Sequence, residues 1–455
     1  MKRDPHIPTA FKREFSDWRL WLTRGVVVAA AVLSGLTVVG FTWLTEHALA
    51  TFFQLRVSWW WAPLIWTPLS TVAVVWLTRR YAPGAAGSGI PQVMASLDPA
   101  VDETNRGLFV SLKLSAAKIG LTAWGLLAGL SLGREGPSVQ IAAGVMLGSR
   151  YWLPKRSVVT EHSLLVAGGA AGIAAAFNTP LAGVMFAIEE LSRAPEQRRS
   201  GLIITCIVIA GLVAVSVHGN ATYFGVIRVS EMGLALLLPG LLVSICCGLA
   251  GGLFARLMTR SFDPEANDRI SRFRRYSPIW FAGICGLAVA CIGAWTNGAT
   301  FGSGYSHTRQ MLEGAENLPA VYVLLKFVAT WLTAWSGVPA GIFAPSLAIG
   351  AALGNDVAML LNVPQHSVLI ALGMVGFLAA VTQAPLTSFI IVMEMVDGHA
   401  MVLSLMACAL VASGLSRILS RPLYASLAQM QLTRIPAYQS RSESEASQGN
   451  PSTLP

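Results

Sequence analysis

The chain has 455 residues, of which 54% are hydrophobic and 12% are charged. Soluble proteins carry about 25% charged residues, so this composition indicates a polytopic membrane protein without an evident soluble domain. The formal net charge of +9 does not indicate nucleic-acid binding, because the cations cluster at the ends of apolar runs. Lipid headgroups are the partners that we expect for these cations.

Basic residues that flank apolar runs mark the cytoplasmic side of a membrane protein. This rule places the N-terminus and the internal basic loops in the cytoplasm. We expect the C-terminus there too, in a multi-pass membrane protein. The flanking residues are Lys2, Arg3, Lys12, Arg13, Arg79, Arg80, Lys155, Arg156, Arg193, Arg198, Arg199 and the arginines between positions 256 and 275.

The predicted elements begin with residues 1–24, where aromatic side chains alternate with basic ones, as in an amphipathic helix on the cytoplasmic surface. Crossing a bilayer takes about 20 apolar residues as helix. Charge-free runs that can do so cover residues 25–44, 57–78, 232–255 and 279–295. Shorter runs of about half that length predict re-entrant or broken helices sheltered by protein; they cover residues 138–148, 181–188 and 386–393.

Two parts of the chain resemble each other weakly. A Gly-x-x-x-Pro-Ser motif occurs at 133–138 and again at 341–346, so that Pro137 and Pro345 are 208 positions apart. The segment around Pro180 resembles the one around Pro385, 205 positions later. Two nearly equal offsets predict two homologous halves. The predicted organisation is a segment 1–24, a first membrane repeat 25–217, a polar linker 218–231, a second membrane repeat 232–433 and a disordered cytoplasmic tail 434–455.

Glu135 lies in the first of these motifs, Gly133-Arg134-Glu135-Gly136-Pro137, next to an apolar run. An ionisable side chain at membrane depth is costly and indicates an ion or proton pathway. The glycines permit a tight turn, and proline is tolerated in the first turn of a helix. A helix N-terminus attracts anions, because it carries unsatisfied N–H donors and a partial positive charge. Two such termini facing one another near the midplane predict a site for a small dehydrated anion.

A third glycine-rich loop, Gly87-Ser88-Gly89-Ile90-Pro91, also precedes a proline and adds the Ser88 hydroxyl as a neutral donor. Tyr424 supplies a phenolic hydroxyl late in the chain. Neutral donors suit an ion that must bind and then leave, whereas a full positive charge would trap it.

The motifs GSGIP (87–91), GREGP (133–137) and GIFAP (341–345), with the late Tyr424, resemble those of the CLC family of chloride channels and chloride/proton antiporters. They occur in the family's order across the whole membrane portion. The resemblance implies an all-α polytopic membrane protein with the CLC-type fold, two inverted-topology repeats and broken or re-entrant helices. It also implies a homodimer with one anion pathway in each subunit.

The resemblance further implies roles for individual residues. Glu135 would be the gating glutamate, Glu190 the internal proton-transfer glutamate and Lys118 a charge-balancing intramembrane lysine. The chloride-binding residues would be Ser88, Tyr424, Ile342 and Phe343 for the central anion, and Arg134, Glu135, Gly136 and Ala344, together with Phe343, for the outer one.

Glu190 favours exchange over passive conduction, because the family's antiporters keep a carboxylate at that position and its channels typically do not. The chain therefore resembles a secondary active transporter that exchanges chloride for protons. Gln92 is a departure from the family pattern, in which acids often follow GSGIP. We expect Glu189 to be solvated at the cytoplasmic helix end and Glu394 to be a structural acid.

Three alternatives remain open at this point. A passive voltage- or pH-gated chloride channel would have the same fold, and a fluoride/proton antiporter of the family is disfavoured by the intact Ser88 loop. An intramembrane enzyme or a non-transporting scaffold belongs to another class. The sequence shows no nucleophile constellation, metal-ligand spacing or cofactor motif, so we expect no enzyme activity and no cofactor, with chloride and protons as the transported ligands.

Overall fold

The computed structural model describes residues 18–154, 157, 159–192, 200–219, 222–225, 234–315 and 318–433. The expectations for the surface helix before Trp18, for most of the linker 218–231 and for the tail 434–455 lie outside these residues. Within the described ranges the chain forms nineteen α-helices and no β-strand, which agrees with the predicted all-α class.

The helices are α1 (Trp18–Ser58), α2 (Ala62–Tyr81), α3 (Ile90–Ser96), α4 (Glu103–Arg106), α5 (Leu112–Leu127), α6 (Glu135–Gly148), α7 (Glu161–Phe177), α8 (Pro180–Phe186), α9 (Ser200–His218), α10 (Leu237–Phe262), α11 (Arg269–Tyr276), α12 (Pro278–Trp295), α13 (Tyr305–Leu312), α14 (Val321–Trp335), α15 (Phe343–Leu360), α16 (His366–Thr382), α17 (Pro385–Met395), α18 (Val402–Leu419) and α19 (Leu423–Leu432).

Long apolar helices provide the membrane spans. In the described part of the chain, five helical segments are long and apolar enough to cross a bilayer: α1, α10, α12, α15 and the segment His399–Leu419 that contains α18. The predicted run 57–78 differs from the structure, because α1 continues to Ser58 and α2 starts only at Ala62. Between them lie Trp59, Trp60 and Trp61, which are 56%, 75% and 47% exposed. Tryptophan favours the membrane interface, so the break marks a boundary rather than the middle of a span.

The predicted broken helices are present. Helix α6 has 14 residues, α8 has 7 and α17 has 11, and each is too short to cross a bilayer alone. Pro180 and Pro385 are the first residues of α8 and α17. Proline is favoured there, because its fixed φ suits the helix and its missing N–H would have no partner in any case.

The central helices α6, α7, α15 and α16 are buried on all sides, as expected for helices that are apolar around their whole circumference. Glycines let them approach one another closely. A Cβ at Gly172 of α7 would lie 2.6 Å from the carbonyl oxygen of Ser138 in α6. Likewise, α15 and α16 touch through Gly350 and Gly373, where a Cβ on either glycine would collide with the other's carbonyl oxygen.

The two halves repeat the same sequence of elements. Helices α5, α6, α7 and α8 correspond in order to α14, α15, α16 and α17, and α7 packs on α6 as α16 packs on α15. Even the connections agree, because Asn178 ends α7 and Gln383 ends α16 in left-handed conformation with φ of 59° in both.

Reciprocal hydrogen bonds join the broken helices of the two halves. The Glu394 carboxylate accepts from the N–H groups of Leu181 (3.2 Å) and Ala182 (2.8 Å) at the start of α8. Conversely, the Glu189 carboxylate accepts from the N–H groups of Leu386 (3.1 Å) and Thr387 (2.6 Å) at the start of α17.

Each half thus supplies the acidic cap for the other half's helix N-terminus, where N–H groups lack intrahelical partners. Contacts that exchange partners in this way require a local two-fold relation between the halves. The expectation that Glu189 is simply solvated was wrong, because the neighbouring N-terminus of α17 offers its carboxylate two N–H donors.

Replacing Glu394 by alanine should lower the free energy of unfolding by about 2 kcal/mol, because two charge-assisted hydrogen bonds are lost. Thermal unfolding of the purified protein in detergent measures the change. Glu313→Ala is the matched control: its side chain is 50% exposed and pairs with Arg309 within one helix, which contributes less than about 0.5 kcal/mol. Equal losses in the two variants would contradict the capping role.

Candidate functional site

Two helix-start loops are joined back to back at the centre of the molecule. Gly133 N–H donates to the Gly341 carbonyl at 2.7 Å, and Gly341 N–H donates back to the Gly133 carbonyl at 3.1 Å. A Cβ at Gly341 would lie 2.6 Å from the Gly133 oxygen, so this approach requires glycine. The bridge holds the N-termini of α6 and α15 side by side.

The third glycine-rich loop is hydrogen-bonded to the same assembly. Gly87 N–H donates to the Val338 carbonyl at 3.2 Å, and Ala340 N–H donates to the Gly87 carbonyl at 3.1 Å. Gln92 closes this loop, because its side chain accepts from Gly89 N–H at 2.9 Å and donates to the Ala86 carbonyl. Gln92, noted above as a departure from the family pattern, therefore stabilises the loop that carries Ser88.

Helices α6 and α15 begin without side-chain caps. Helix α5, by contrast, is capped by Ser111, whose hydroxyl accepts from Leu114 N–H at 3.3 Å, and α7 is capped by Thr160 in the same way. Uncapped N–H groups are left as donors, and the positive end of each helix dipole points into the same space. The first turns of α6 and α15 are thus an anion-attracting pair inside the protein.

Glu135 lies at this meeting point and is only 1% exposed. Its carboxylate folds back over Gly133. A Cβ added at Gly133 would collide with Oε2 of Glu135 and would lie 3.3 Å from the Cβ of Ala344. The backbone N–H groups that interact with the carboxylate are those of Arg134, Glu135 and Ala344, although no hydrogen bond of standard geometry reaches either oxygen from the described residues. The acid occupies the gap between the two helix starts.

Ser88 and Tyr424 border the same gap. Tyr424 is completely buried and Ser88 is 8% exposed, and neither hydroxyl oxygen has a hydrogen bond of standard geometry within the described ranges. The Ser88 hydroxyl lies directly over Gly136, where a Cβ would collide with it. The ring of Tyr424 stacks on that of Phe343 with a centroid distance of 5.8 Å and an interplanar angle of 10°. Two neutral O–H donors therefore face the uncapped helix starts.

Glu190 lies in the π-helical turn Ala187–Leu191 that follows α8 and is 8% exposed. Such wide turns are frequent at functional sites. Tyr424 interacts electrostatically with both Glu190 and Glu135, so the tyrosine lies within electrostatic range of both predicted carboxylates. Ile342, the residue before α15, and Ala344, the second residue of α15, are both buried.

Lys118 holds the Ser88 loop. Its ammonium group is fully buried and donates to the carbonyls of Ala85 (2.8 Å) and Gly87 (2.6 Å) rather than to a carboxylate. Lys326 is its counterpart in the second half, fully buried and donating to the carbonyls of Thr300 (2.9 Å) and Gly302 (2.7 Å). The sequence reasoning missed Lys326, although it follows Lys118 by 208 positions, the same offset as the two Gly-x-x-x-Pro-Ser motifs.

Arg134 points away from the gap that holds Glu135. Its Nη1 donates to Glu46 Oε1 at 2.8 Å and to the Thr42 carbonyl at 3.3 Å, and its Nη2 donates to the Tyr223 hydroxyl at 3.1 Å. The guanidinium is therefore engaged, and only the backbone of Arg134 faces the helix starts. Glu46 and Tyr223 were not predicted, and no sequence motif marks either residue.

These features define a polytopic membrane protein with a buried anion-attracting centre and a carboxylate within it. In the described part of the chain, no group of three or more His, Cys, Asp or Glu side chains is arranged to hold a metal ion. The sequence matches the family described as "Voltage gated chloride channel" over residues 70–417. The chain therefore belongs to this family, the CLC proteins.

Curated relatives cover nearly the whole chain. The H(+)/Cl(-) exchange transporter ClcA of Salmonella paratyphi A is 30% identical over 476 residues, which cover 99% of this chain and 96% of the relative. The protein of the same name from Klebsiella pneumoniae is 31% identical, with 93% of each chain covered.

Solved structures have the same fold. A slow cyanobacterial Cl-/H+ antiporter gives a TM-score of 0.79 at 24% identity and covers 91% of this chain and 98% of that chain. A CLC-type fluoride/proton antiporter gives 0.72 at 22% identity, with 89% and 97% covered. The all-α polytopic CLC fold predicted from the motifs is confirmed.

Lys118→Met and Lys326→Met should each lower the free energy of unfolding by about 2 kcal/mol, because each leaves two buried carbonyl groups without a donor. Thermal unfolding in detergent measures both variants. Lys113→Met is the control, because Lys113 is exposed on the same helix as Lys118 and should be close to neutral. If Lys326→Met unfolds at the same temperature as the wild type, Lys326 does not hold the loop.

Proposed function

We propose that this protein is a secondary active transporter that exchanges chloride for protons across the membrane. The observation that carries the proposal is the position of Glu135, whose buried carboxylate lies between the uncapped N-termini of α6 and α15. The donors that attract a carboxylate there also attract a halide. The relatives named H(+)/Cl(-) exchange transporter support the same activity.

Chloride occupies two positions in this proposal. The central anion accepts hydrogen bonds from the hydroxyls of Ser88 and Tyr424 and from the N–H groups of Ile342 and Phe343. The outer anion takes the position of the Glu135 carboxylate and is bound by backbone N–H groups. These belong to Arg134, Glu135, Gly136, Phe343 and Ala344.

Exchange follows from competition for the outer position. The ionised Glu135 carboxylate and chloride carry the same charge and use the same donors, so only one of them can be present. Protonation removes the negative charge of Glu135 and with it the attraction to the helix N-termini. Each time the carboxyl leaves with a proton, chloride can enter, and this links proton movement to anion movement.

Glu190 is the internal proton-transfer residue in this scheme. In the proposed pathway the proton passes between Glu190 and Glu135, and Tyr424 interacts electrostatically with both carboxylates. The proton pathway therefore diverges from the chloride pathway on the cytoplasmic side. Lys118 has a positioning role, because its hydrogen bonds fix the loop that carries Ser88.

We further propose a homodimer in the bacterial inner membrane with both termini in the cytoplasm. Each subunit contains a complete set of the residues named above. The transport cycle that they support involves chloride, protons and surrounding lipid, and it requires neither a cofactor nor enzyme chemistry.

In reconstituted vesicles, an imposed chloride gradient should drive protons uphill, with potassium and valinomycin present to clamp the voltage. Glu190→Gln should abolish this proton movement while chloride flux continues, because the variant keeps the anion site but loses the titrating group. A pH electrode and a chloride electrode record the two fluxes. Glu265→Gln, on an exposed loop, is the control and should pump like the wild type.

Chloride flux without any proton movement in the wild type would contradict exchange and would indicate a passive channel with the same fold. Fluoride transport in preference to chloride would indicate the fluoride/proton alternative. Vesicles that carry neither ion would refute the transport proposal as a whole.

A further inference from the structure

Tyr223 is fixed from several directions near the outer side of Glu135. Its backbone carbonyl accepts from the Tyr305 hydroxyl at 2.7 Å, and the next residue, Phe224, donates its N–H to the Met395 carbonyl at 2.9 Å. Its ring packs edge-on against Tyr305 at 4.8 Å and Phe224 at 5.1 Å. These contacts fix the positions of Tyr223 and Phe224 relative to Tyr305 and Met395.

Four aromatic rings form a continuous column past the gate. Tyr424 stacks on Phe343 at 5.8 Å, Phe343 contacts Phe177 at 6.2 Å, and Phe177 meets Tyr223 edge-on at 5.9 Å. The two ends of the column carry hydroxyl groups and the two middle rings carry none. Tyr223 is thus the outer counterpart of the inner hydroxyl of Tyr424.

The O–H group of Tyr223 is available to donate a hydrogen bond. Its oxygen accepts from Arg134 Nη2 at 3.1 Å, and its own hydrogen has no acceptor among the described residues. A cation bound at the oxygen turns the O–H bond away from itself. The charged and titratable groups that interact with Tyr223 are Arg134, Glu135 and Tyr305, and Glu46 balances Arg134 from the exposed side.

We propose that the Tyr223 hydroxyl receives the Glu135 carboxylate after the protonated side chain has swung outward from the gap between α6 and α15 and has released its proton. This inference rests on the proposed exchange function. The hydroxyl donates to the carboxylate while Arg134 supplies positive charge beside it. Tyr223 is thereby a positioning residue for the gate, and Arg134 orients Tyr223 through the hydrogen bond to its oxygen.

The consequence concerns the charged form of the gate. Once the proton has been released, the ionised carboxylate lies outside the gap without the donors of the helix N-termini, and Tyr223 replaces one of them. This stabilises an open, ionised gate at neutral pH. A protonated Glu135 has no negative charge to stabilise, so the hydroxyl matters little under acidic conditions.

Tyr223→Phe keeps the ring contacts and removes only the hydroxyl. Chloride efflux from vesicles at neutral pH should fall about tenfold, the loss expected for one hydrogen bond to a charged group. At acidic pH the efflux should approach that of the wild type, so the pH profile becomes steeper. Tyr276→Phe, at a tyrosine that is 85% exposed, is the matched control and should leave the profile unchanged.

The same substitution in a Glu135→Ala background separates a gating role from a structural one. Without the carboxylate there is nothing for the hydroxyl to receive, so Tyr223→Phe should not alter the efflux of this variant. A pH-independent loss in either background, or an unchanged profile in the wild-type background, would overturn the proposal. 3-Fluorotyrosine at position 223 is a more acidic and stronger O–H donor of nearly equal size. It should shift the pH profile in the direction opposite to that of Tyr223→Phe. A shift in the same direction as that of Tyr223→Phe would also overturn the proposal.

The wild-type control keeps this test distinct from that of the proposed function. If the wild type moves chloride without protons, exchange fails whatever Tyr223 does. If the wild type exchanges the two ions and Tyr223→Phe behaves like Tyr276→Phe, only the docking role fails.

Discussion

The structure depends on two helix N-termini that are kept free of side-chain caps inside a membrane protein. Uncapped N–H groups in such surroundings are costly unless something binds them. Here the backbone bridge between Gly133 and Gly341 holds α6 and α15 together at their starts. The N–H donors of both helix starts are therefore directed into the gap between α6 and α15 and not towards lipid. An anion, or the carboxylate of Glu135, is what this arrangement can bind.

Approximate two-fold symmetry supplies the rigidity that the centre needs. Lys118 and Lys326 each fix a glycine-rich loop through two carbonyls, and Glu189 and Glu394 each cap the other half's broken helix. The four charged groups therefore form two structural devices, each of which occurs once in each half. The functional centre departs from this symmetry, because only α6 carries a glutamate at its start and α15 has Phe343 in the corresponding place.

The short helices were predictable from the sequence, because Pro137, Pro180 and Pro385 mark helix starts and the apolar runs that follow end too soon to span a bilayer. Glu135 was predictable because a lone acid beside such a run is costly. The helix cap made by Glu189 was not predictable, because its partner Thr387 is about 200 positions away in the chain. An acid at a helix C-terminus is unfavourable for the helix dipole and was therefore expected to be solvated. Tyr223 lies in a short connection without periodicity, and only the fold brings it to Arg134. Lys326 was predictable from the sequence, because it follows Lys118 by the same offset of 208 positions that separates the two Gly-x-x-x-Pro-Ser motifs.

The central claim is that the Glu135 carboxylate and a halide use the same backbone donors. Crystals grown with bromide and measured at the bromine absorption edge test it most directly, for the wild type and for Glu135→Ala. The account predicts one bromide near Ser88 and Tyr424 in the wild type, and in the variant a second bromide where the carboxylate had been, between the first turns of α6 and α15. Identical bromide positions in the two proteins, or bromide bound away from both helix starts, would contradict it.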